Sequence, residues 1–317
     1  MKHYSVLKKE LIEGLNINPD GIYVDCTLGY AGDAKEILRE LKRGFLFAFD
    51  RDEEAINYST NELSKIGDNF KIIHSNFADL KEKLNEEGIT KVDGFVFDLG
   101  LSSPQIDDAM RGFSFQEDAE LDMRMDKQSK LTAKEVVNNY SYEELVQIFY
   151  KYGEEDFSKP IAKRIVEERN KKEINTTLEL VDIIKEAVPV KYYLKNHPER
   201  QIFQVIRIEV NDELKSIEKA LKDAIEMLNV GGRICVISFH SLEDRIAKTI
   251  FKEKSDINPL VKGLPVIPDG YKPLIKLINK KPILPSEKEL EENSRSKSAK
   301  LRIIERVWFL WERLEEE

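Results

Sequence analysis

The chain holds 317 residues at a net charge of −9, with 41% apolar and 34% charged residues. That is enough apolar content for a core under a well-solvated surface, with room for one large domain plus an insertion or for two domains. Two cysteines without metal-ligand spacing, and no stretch of membrane-spanning length, argue against a disulfide scaffold, a metal centre and a membrane protein, and point to the cytoplasm.

The first predicted strand is Ile22, Tyr23, Val24, Asp25 and Cys26, followed by the turn Thr27–Asp33 and by helical spacing at Ala34, Ile37, Leu38 and Leu41. Strand, glycine turn and helix open a doubly wound sheet, where a phosphate or nucleoside binds because glycine lets the backbone approach a ligand. The second strand, Phe45–Phe49, ends at Asp50, 18 positions after Gly32 (50 minus 32). Its carboxylate can accept from two ribose hydroxyls. Nicotinamide and flavin enzymes share that feature, but an incomplete G-x-G-x-x-G argues against a dinucleotide. A third strand, Phe70–His74, precedes Ser75–Asp79 and a helix to about Glu87.

The fourth strand is apolar at Val92, Phe95, Val96 and Phe97, ends on Asp98, and opens into Gly100, Ser102, Ser103, Pro104 and Gln105. Ligands of open α/β sheets bind just beyond the carboxyl ends of the strands. An aspartate followed by Ser-Ser-Pro-Gln at that edge is built like an active site; the plainer reading is a turn rich in turn formers.

From Leu131 to about Pro189 the pattern turns helical, with capping boxes at Thr132-x-x-Glu135, Ser141-x-x-Glu144 and Thr176-x-x-Glu179. A long helix after Gln201, apolar at Leu214, Ile217, Leu221, Ala224 and Leu228, is predicted to stop at Asn229–Gly232. Arg233–Phe239 reads as a fifth strand, followed by His240 and a helix from Leu242 to about Lys252. Leu274–Ile283 is a further strand candidate. Lys300–Val307, with no helix predicted before it, suggests an antiparallel hairpin. The expected fold is α/β: a class I, Rossmann-like methyltransferase sheet of seven strands with an inserted helical domain. Residues 1–109 and 201–317 would form the sheet domain, and 110–200 a substrate-recognition insert. The acidic balance disfavours nucleic acid unless basic residues gather locally. Candidate faces are Lys163, Arg164, Arg169, Lys171 and Lys172, and Arg295, Lys297, Lys300 and Arg302, though such clusters are more often solvated helix or loop surface than RNA contacts.

Several segments carry a specific resemblance: HYSVL at His3–Leu7, DCTLGYAGDA at Asp25–Ala34, DLGLSSPQIDDAMRGFSF at Asp98–Phe115 and LDMRMD at Leu121–Asp126. FQVIRIEVNDEL at Phe203–Leu214, SFHSLEDR at Ser238–Arg245 and SRSKSAKLR at Ser294–Arg302 complete the set. In these the chain resembles the bacterial 16S ribosomal RNA cytosine-N4 methyltransferase family over nearly its whole length. The resemblance implies methyl transfer from S-adenosylmethionine to the exocyclic amine of a decoding-centre cytidine, nucleotide 1402. It implies 16S ribosomal RNA of the small subunit as partner and no membrane, and it is compatible with a homodimer. The family's cofactor contacts fall on Ala31, Gly32, Asp33, Asp50, Phe77, Asp98 and Gln105. Family members commonly carry His at the position of Asp33, which leaves a side-chain contact there open.

Cytosine N4 is a poor nucleophile because its lone pair is delocalised into the ring. The Ser102-Ser103-Pro104 loop resembles the Ser-Pro-Pro-aromatic loops of DNA amino-methyltransferases, with Gln105 replacing the aromatic residue. Ser103 and the Pro104 region are expected to hold the amine, alignment providing most of the acceleration; Asp98 is the alternative base. The cytidine must be presented unstacked. Arg111, Asp122, Arg124 and His240 are the substrate candidates, with Phe113 and Phe115 beside them and His3 on an arm over the site; no metal is expected. The competing readings are a DNA cytosine-N4 or adenine-N6 methyltransferase and a nicotinamide-dependent oxidoreductase, which gives Ser102-Ser103-Pro104 no role.

Overall fold

The computed structural model describes residues 5–308 apart from 258, 269 and 270, so His3 lies outside the described residues. In chain order the first elements are α1 (Lys8–Leu15), β1 (Ile22–Asp25), α2 (Gly32–Glu40), β2 (Phe45–Asp50), α3 (Glu53–Leu63), β3 (Phe70–His74), α4 (Leu80–Glu86) and β4 (Val92–Asp98). Seven helices follow: α5 (Ser103–Asp107), α6 (Ala133–Asn139), α7 (Tyr142–Gly153), α8 (Ser158–Arg169), α9 (Thr177–Ala187), α10 (Val190–Asn196) and α11 (Pro198–Asn211). The chain then runs through α12 (Glu213–Met227), β5 (Leu228–Ser238), α13 (Ser241–Ser255), β6 (Ile275–Leu277), α14 (Glu287–Glu292) and β7 (Lys300–Arg306).

The strands form one sheet in the order β3-β2-β1-β4-β5-β7-β6, parallel except for β7, which runs against both neighbours. Because successive strand residues point to opposite faces, each strand feeds two cores. Val24, Phe47, Phe49, Phe95, Phe97 and Val236 pack with Leu80 and Leu84 of α4, Ile217 and Leu221 of α12 and Phe251 of α13. Tyr23, Leu46, Ala48, Val96, Cys235 and Ile237 pack with Leu11 and Leu15 of α1 and Ile37 and Leu38 of α2. This is the expected α/β sheet of seven strands. Cys26 and Cys235 are buried free thiols. Among the described residues, no helix is long and apolar enough to cross a membrane.

The chain divides into two compact units: Met1–Gly100 with Leu214–Glu317, and Leu101–Glu213. The divisions fall at 100/101 and 213/214, against 109/110 and 200/201 in the sequence reading. Leu101 packs on the second unit's core, and α11 buries Ile202, Phe203, Val205, Ile206 and Val210 there. The same core takes Val136, Val137, Leu145, Phe149, Ile165 and Ile184 from α6 to α9. The three expected capping boxes form at Thr132, Ser141 and Thr176.

Four local expectations need correction. The long helix after Gln201 is two, α11 and α12, separated at Asp212, whose φ of 48° is left-handed and closes α11; aspartate tolerates that conformation better than most residues. Asn229–Gly232 is no helix stop but part of β5: Leu228 pairs with Val92, and a register shift between Val92 and Gly94 brings Arg233 opposite Gly94. Gly231, at φ +84°, supplies the positive dihedral in this stretch. Of Leu274–Ile283 only Ile275–Leu277 is a strand, with Ile283 in a lone bridge to Leu301. Pro282 lacks the N–H that a ladder needs. A six-residue helix, α14, does precede β7, with Ser286 accepting from the Glu289 N–H at 3.2 Å.

Candidate active site

Strand order reverses between β1 and β4, so the crevice beyond their carboxyl ends is the natural ligand site of the sheet. Asp25, Asp50 and Asp98 stand there as the last residues of β1, β2 and β4. Thr27 fastens two of these ends. Its N–H donates to Asp25 Oδ1 at 3.0 Å, and its hydroxyl oxygen accepts from the Asp98 N–H at 2.6 Å. Asp50 accepts from the Gly29 N–H on one oxygen at 2.7 Å and from the Asp52 N–H on the other at 2.8 Å. A carboxylate has about four acceptor positions; the Arg51 backbone N–H also bonds Asp50, and acceptor capacity remains for a ligand hydroxyl. In the turn itself Gly29 and Ala31 are the left-handed residues, at φ 46° and 59°, while Gly32 is the first residue of α2.

Asp33, in the first turn of α2, is only 6% exposed and Asp25 only 1%. Asp33 Oδ1 and Asp98 Oδ1 are buried without a hydrogen-bond partner among the described residues. Burial, then the neighbouring Asp33, pushes Asp25 up to about 8 despite the Thr27 bonds. Burial pushes Asp33 up to about 6, against the pull of the Ser5 hydroxyl and Lys8. Burial, with Asp33, Asp25 and Glu243 nearby, raises Asp98 well above the carboxylate range. Buried acids in this position relieve their mutual repulsion either by holding protons or by receiving a cation. Burial also raises Asp50, opposed by its backbone N–H bonds. Phe77, half-buried after β3, meets Phe97 edge-on at a centroid distance of 5.9 Å.

In the second unit, Ser102 caps α5. Its hydroxyl accepts from the Gln105 N–H at 3.4 Å, while Gln105 Oε1 accepts from the Ser102 N–H at 3.1 Å. Pro104 stands in the first turn of α5, its fixed φ suited to that place. The loop chemistry read from the sequence is therefore also a helix start, with Ser102 and Gln105 engaged and Ser103 at its first position.

The substrate candidates divide. Arg111 is 6% exposed and donates to the Arg124 and Met125 carbonyls at 3.0 and 3.1 Å, so it acts as an internal brace. Arg124 grips Asp122 with two bonds, at 2.7 and 2.8 Å, and donates to the Lys127 and Ser129 carbonyls. Burial works to raise Asp122, but the Arg124 bonds outweigh it and the pKa is lowered. Phe113 and Phe115 pack in the second unit's core. His240, in the first unit, is the N-cap of α13. The Glu243 carboxylate accepts from the Phe239 and His240 N–H groups, and His240 Nε2 lies 3.0 Å from Glu243 Oε1.

Sequence reasoning missed Asp25, Thr27, Asn211 and Glu243 as site builders. Asn211 clasps the 123–125 loop, accepting from the Met125 N–H and donating to the Met123 carbonyl, both at 2.8 Å. The only sequence signal for Asp25 was its place at a strand end matching that of Asp98. The basic clusters are largely neutralised. Lys163, Arg164, Lys171 and Lys172 pair with Glu167, Glu168 and Glu179, and Arg302 and Lys300 pair with Asp244.

The family model for the MraW methylase family matches residues 1–307. The chain belongs to that family. It is thus an S-adenosylmethionine-dependent methyltransferase that acts on ribosomal RNA at cytosine N4, and the nicotinamide reading falls away. Solved structures similar to this MraW-family chain include an rRNA methylase from Streptococcus thermophilus, 12% identical, with a TM-score of 0.41 over 95% of this chain and 93% of that one. A putative rRNA-methylase from Clostridium thermocellum is 12% identical, with a TM-score of 0.46 over 97% and 100%. A putative methyltransferase from Streptococcus mutans in complex with SAH is 12% identical, with a TM-score of 0.42 over 95% and 95%.

The first unit of this MraW-family enzyme fits its cofactor on chemical grounds. Asp33 Oδ1 and Asp98 Oδ1 are buried acceptors without a partner among the described residues, next to a carboxylate with free lone pairs at Asp50. A molecule carrying an ammonium group, a sulfonium centre and a ribose diol answers all three features.

Proposed function

We propose that Asp98, with Asp25 and Asp33 behind it, takes the cofactor's ammonium end, that Asp50 takes the ribose hydroxyls and that Phe77 packs the adenine. In this reading the backbone at Ala31 and Gly32 lies against the methionine portion. The observation that carries it is the pair of buried oxygens, Asp33 Oδ1 and Asp98 Oδ1, that have no hydrogen-bond partner among the described residues. S-adenosylmethionine supplies a methyl group on a positively charged sulfur. Ser103 and the Pro104 region hold the cytidine amine so that its lone pair points at that methyl. The N–C bond forms as the C–S bond breaks, and the amine proton leaves afterwards to water or a nearby acceptor. A strong base is unnecessary, because the nitrogen becomes acidic only once methylated.

In the same reading the substrate is 16S ribosomal RNA in the small subunit, at nucleotide 1402, and the enzyme works in the cytoplasm, as a single copy or a homodimer. The second unit serves RNA recognition: Arg111 positions the 111–129 loop from within, and Arg124 and Asp122 stand at its half-exposed surface. His240 caps α13 at the carboxyl end of β5, where the RNA is to be received. Mass spectrometry of nucleosides after incubation with methyl donor and undermethylated small subunits tests this directly. N4-methylcytidine at the decoding centre is expected. Methylation of a DNA duplex instead would favour the DNA amino-methyltransferase reading.

A further inference from the structure

In the second unit, α10 is bounded by prolines: Pro189 is its N-cap, and Pro198 is the first residue of α11. A residue before proline is disfavoured in the right-handed helical region. Val188 is accordingly extended, and His197 ends α10 at a left-handed φ of 50°. At about 100° per residue, Val190, Lys191, Leu194 and Lys195 fall within an arc of roughly 140°, with Tyr192 and Tyr193 outside it. Both tyrosines are half-buried against the second unit's core. The Tyr192 hydroxyl donates to Glu155 Oε1 at 2.7 Å, and its ring meets Phe157 at a centroid distance of 4.3 Å. On the outer arc Val190 is 73% exposed and Leu194 67%, beside the exposed Lys191 and Lys195.

Among the described residues, neither Lys191 nor Lys195 has an ion-pair partner. From 187 to 198 the chain holds two lysines, a histidine and no acid, in a protein of net charge −9. The flanking acids are engaged elsewhere: Glu186 pairs with Arg164, and the buried Glu199 lies 3.2 Å from His197 Nδ1. Burial, then Glu155 and Asp156, raises Tyr192; burial, then Glu199 and Asp182, raises Tyr193. The acids around α10 therefore gather on its tyrosine side. The lysines of α8 and the segment after it differ, since Glu167, Glu168 and Glu179 answer Lys163, Lys171 and Lys172.

We propose that the outer face of α10 is a docking surface for an unpaired segment of the ribosomal RNA, with Lys191 and Lys195 on its phosphates and Val190 and Leu194 against its sugars and bases. Helical residues four apart stand one above the other, so the face presents an apolar row beside a cationic row. An unpaired RNA strand offers the matching pair, an anionic backbone beside unstacked apolar bases. Charge complementarity selects this partner. An acidic protein repels RNA from most of its surface and receives it where cations stand without carboxylates. Prolines at both ends and the Tyr192–Glu155 bond fix the helix beforehand, so docking requires little ordering. The inference rests on the reading that the second unit serves RNA recognition, and it names a surface that does so.

The test is the exposed pair Lys191→Glu/Lys195→Glu in the full chain, with Leu194→Asn as a second variant. Lys163→Glu/Lys171→Glu, the same charge change on the same unit, is the control. Three measurements are made: steady-state methylation of undermethylated small subunits, S-adenosylmethionine affinity by calorimetry, and anisotropy with a fluorescent single-stranded RNA. For the α10 pair, a KM for subunits raised about tenfold is expected, with kcat and cofactor affinity unchanged. Its RNA binding should weaken, with a salt slope smaller by about one to two. Leu194→Asn should weaken RNA binding at an unchanged salt slope. Wild-type KM and RNA affinity in the α10 pair would overturn the proposal, as would an equal loss in the control. A raised KM with wild-type RNA affinity would also overturn it, in favour of a protein contact on the subunit. Arg124→Ala separates this proposal from the wider reading. A defect there beside a neutral α10 pair would fell the α10 surface alone, whereas wild-type RNA binding in both would fell RNA recognition by the second unit.

Discussion

The backbone N–H of Gly29 donates to Asp50 Oδ2 at 2.7 Å, fastening the turn after β1 to the end of β2. One carboxylate therefore shapes the cofactor loop and offers its remaining lone pairs to the ribose. Asp50→Ala is expected to weaken S-adenosylmethionine binding by roughly 1.5–3 kcal/mol, the loss of a charged acceptor. Asp50→Asn should lose less, since one oxygen survives. Calorimetry on variants with an unaltered circular dichroism spectrum reads the effect, and wild-type affinity in the alanine variant would remove Asp50 from the site.

Asp25 and Asp33 hold folded-state values of about 8 and 6. Both lie above the unfolded value of about 4, so the folded protein binds these protons more tightly than the unfolded chain. Their contribution to stability is therefore best below about pH 4 and is lost progressively as pH rises to about 6 for Asp33 and 8 for Asp25. Asp25→Asn should flatten the unfolding free energy over that window. A cation seated against the carboxylates favours their ionised form, so S-adenosylmethionine should bind with proton release and more tightly as pH rises. Calorimetry in two buffers of different ionisation heat counts the protons; a count of zero at neutral pH would contradict the cation site.

Ser102 and Ser103 are neighbours with separate tasks. Ser102→Ala removes an N-cap and is expected to lower stability by about 1 kcal/mol. Ser103→Ala should leave stability and cofactor affinity near wild type and slow the single-turnover methyl transfer, as for an interaction made mainly in the transition state. Gln105→Ala, which breaks the same cap from the other side, should weaken cofactor binding first. A wild-type single-turnover rate in Ser103→Ala would pass the amine-holding role to the Pro104 carbonyl or to Asp98.

Arg111→Ala should act on folding before activity. It strands the Arg124 and Met125 carbonyls inside the second unit, and losing a charged donor to buried acceptors costs about 1.5–3 kcal/mol. Denaturant unfolding should show that loss. An activity defect at unchanged stability would mean that Arg111 touches the substrate directly.

The strand ends at Asp50 and Asp98, the reversed last strand and the three capping boxes were legible in the sequence. Strand polarity, apolar alternation and a Ser/Thr three residues before Glu are local patterns, and the long motifs from Asp98 to Phe115 and from Ser238 to Arg245 carried the family. The sequence did not show that Asp25 and Asp33 share one buried neighbourhood with Asp98, because that depends on β1 lying beside β4, with Asp25 opposite Val96, 71 residues on (96 minus 25). Nor could it show that Arg111 points inward. Arginine beside a catalytic loop reads alike whether its guanidinium meets phosphate or two backbone carbonyls, and only the folded 111–129 loop decides. Gly231 and Gly232 read equally as a helix stop or as an irregular strand entry, and pairing of Leu228 with Val92 chose the second. What the sequence determined on its own was local conformation and family. Tertiary packing decided which charges are buried together, since burial and proximity are properties of strand order and not of spacing.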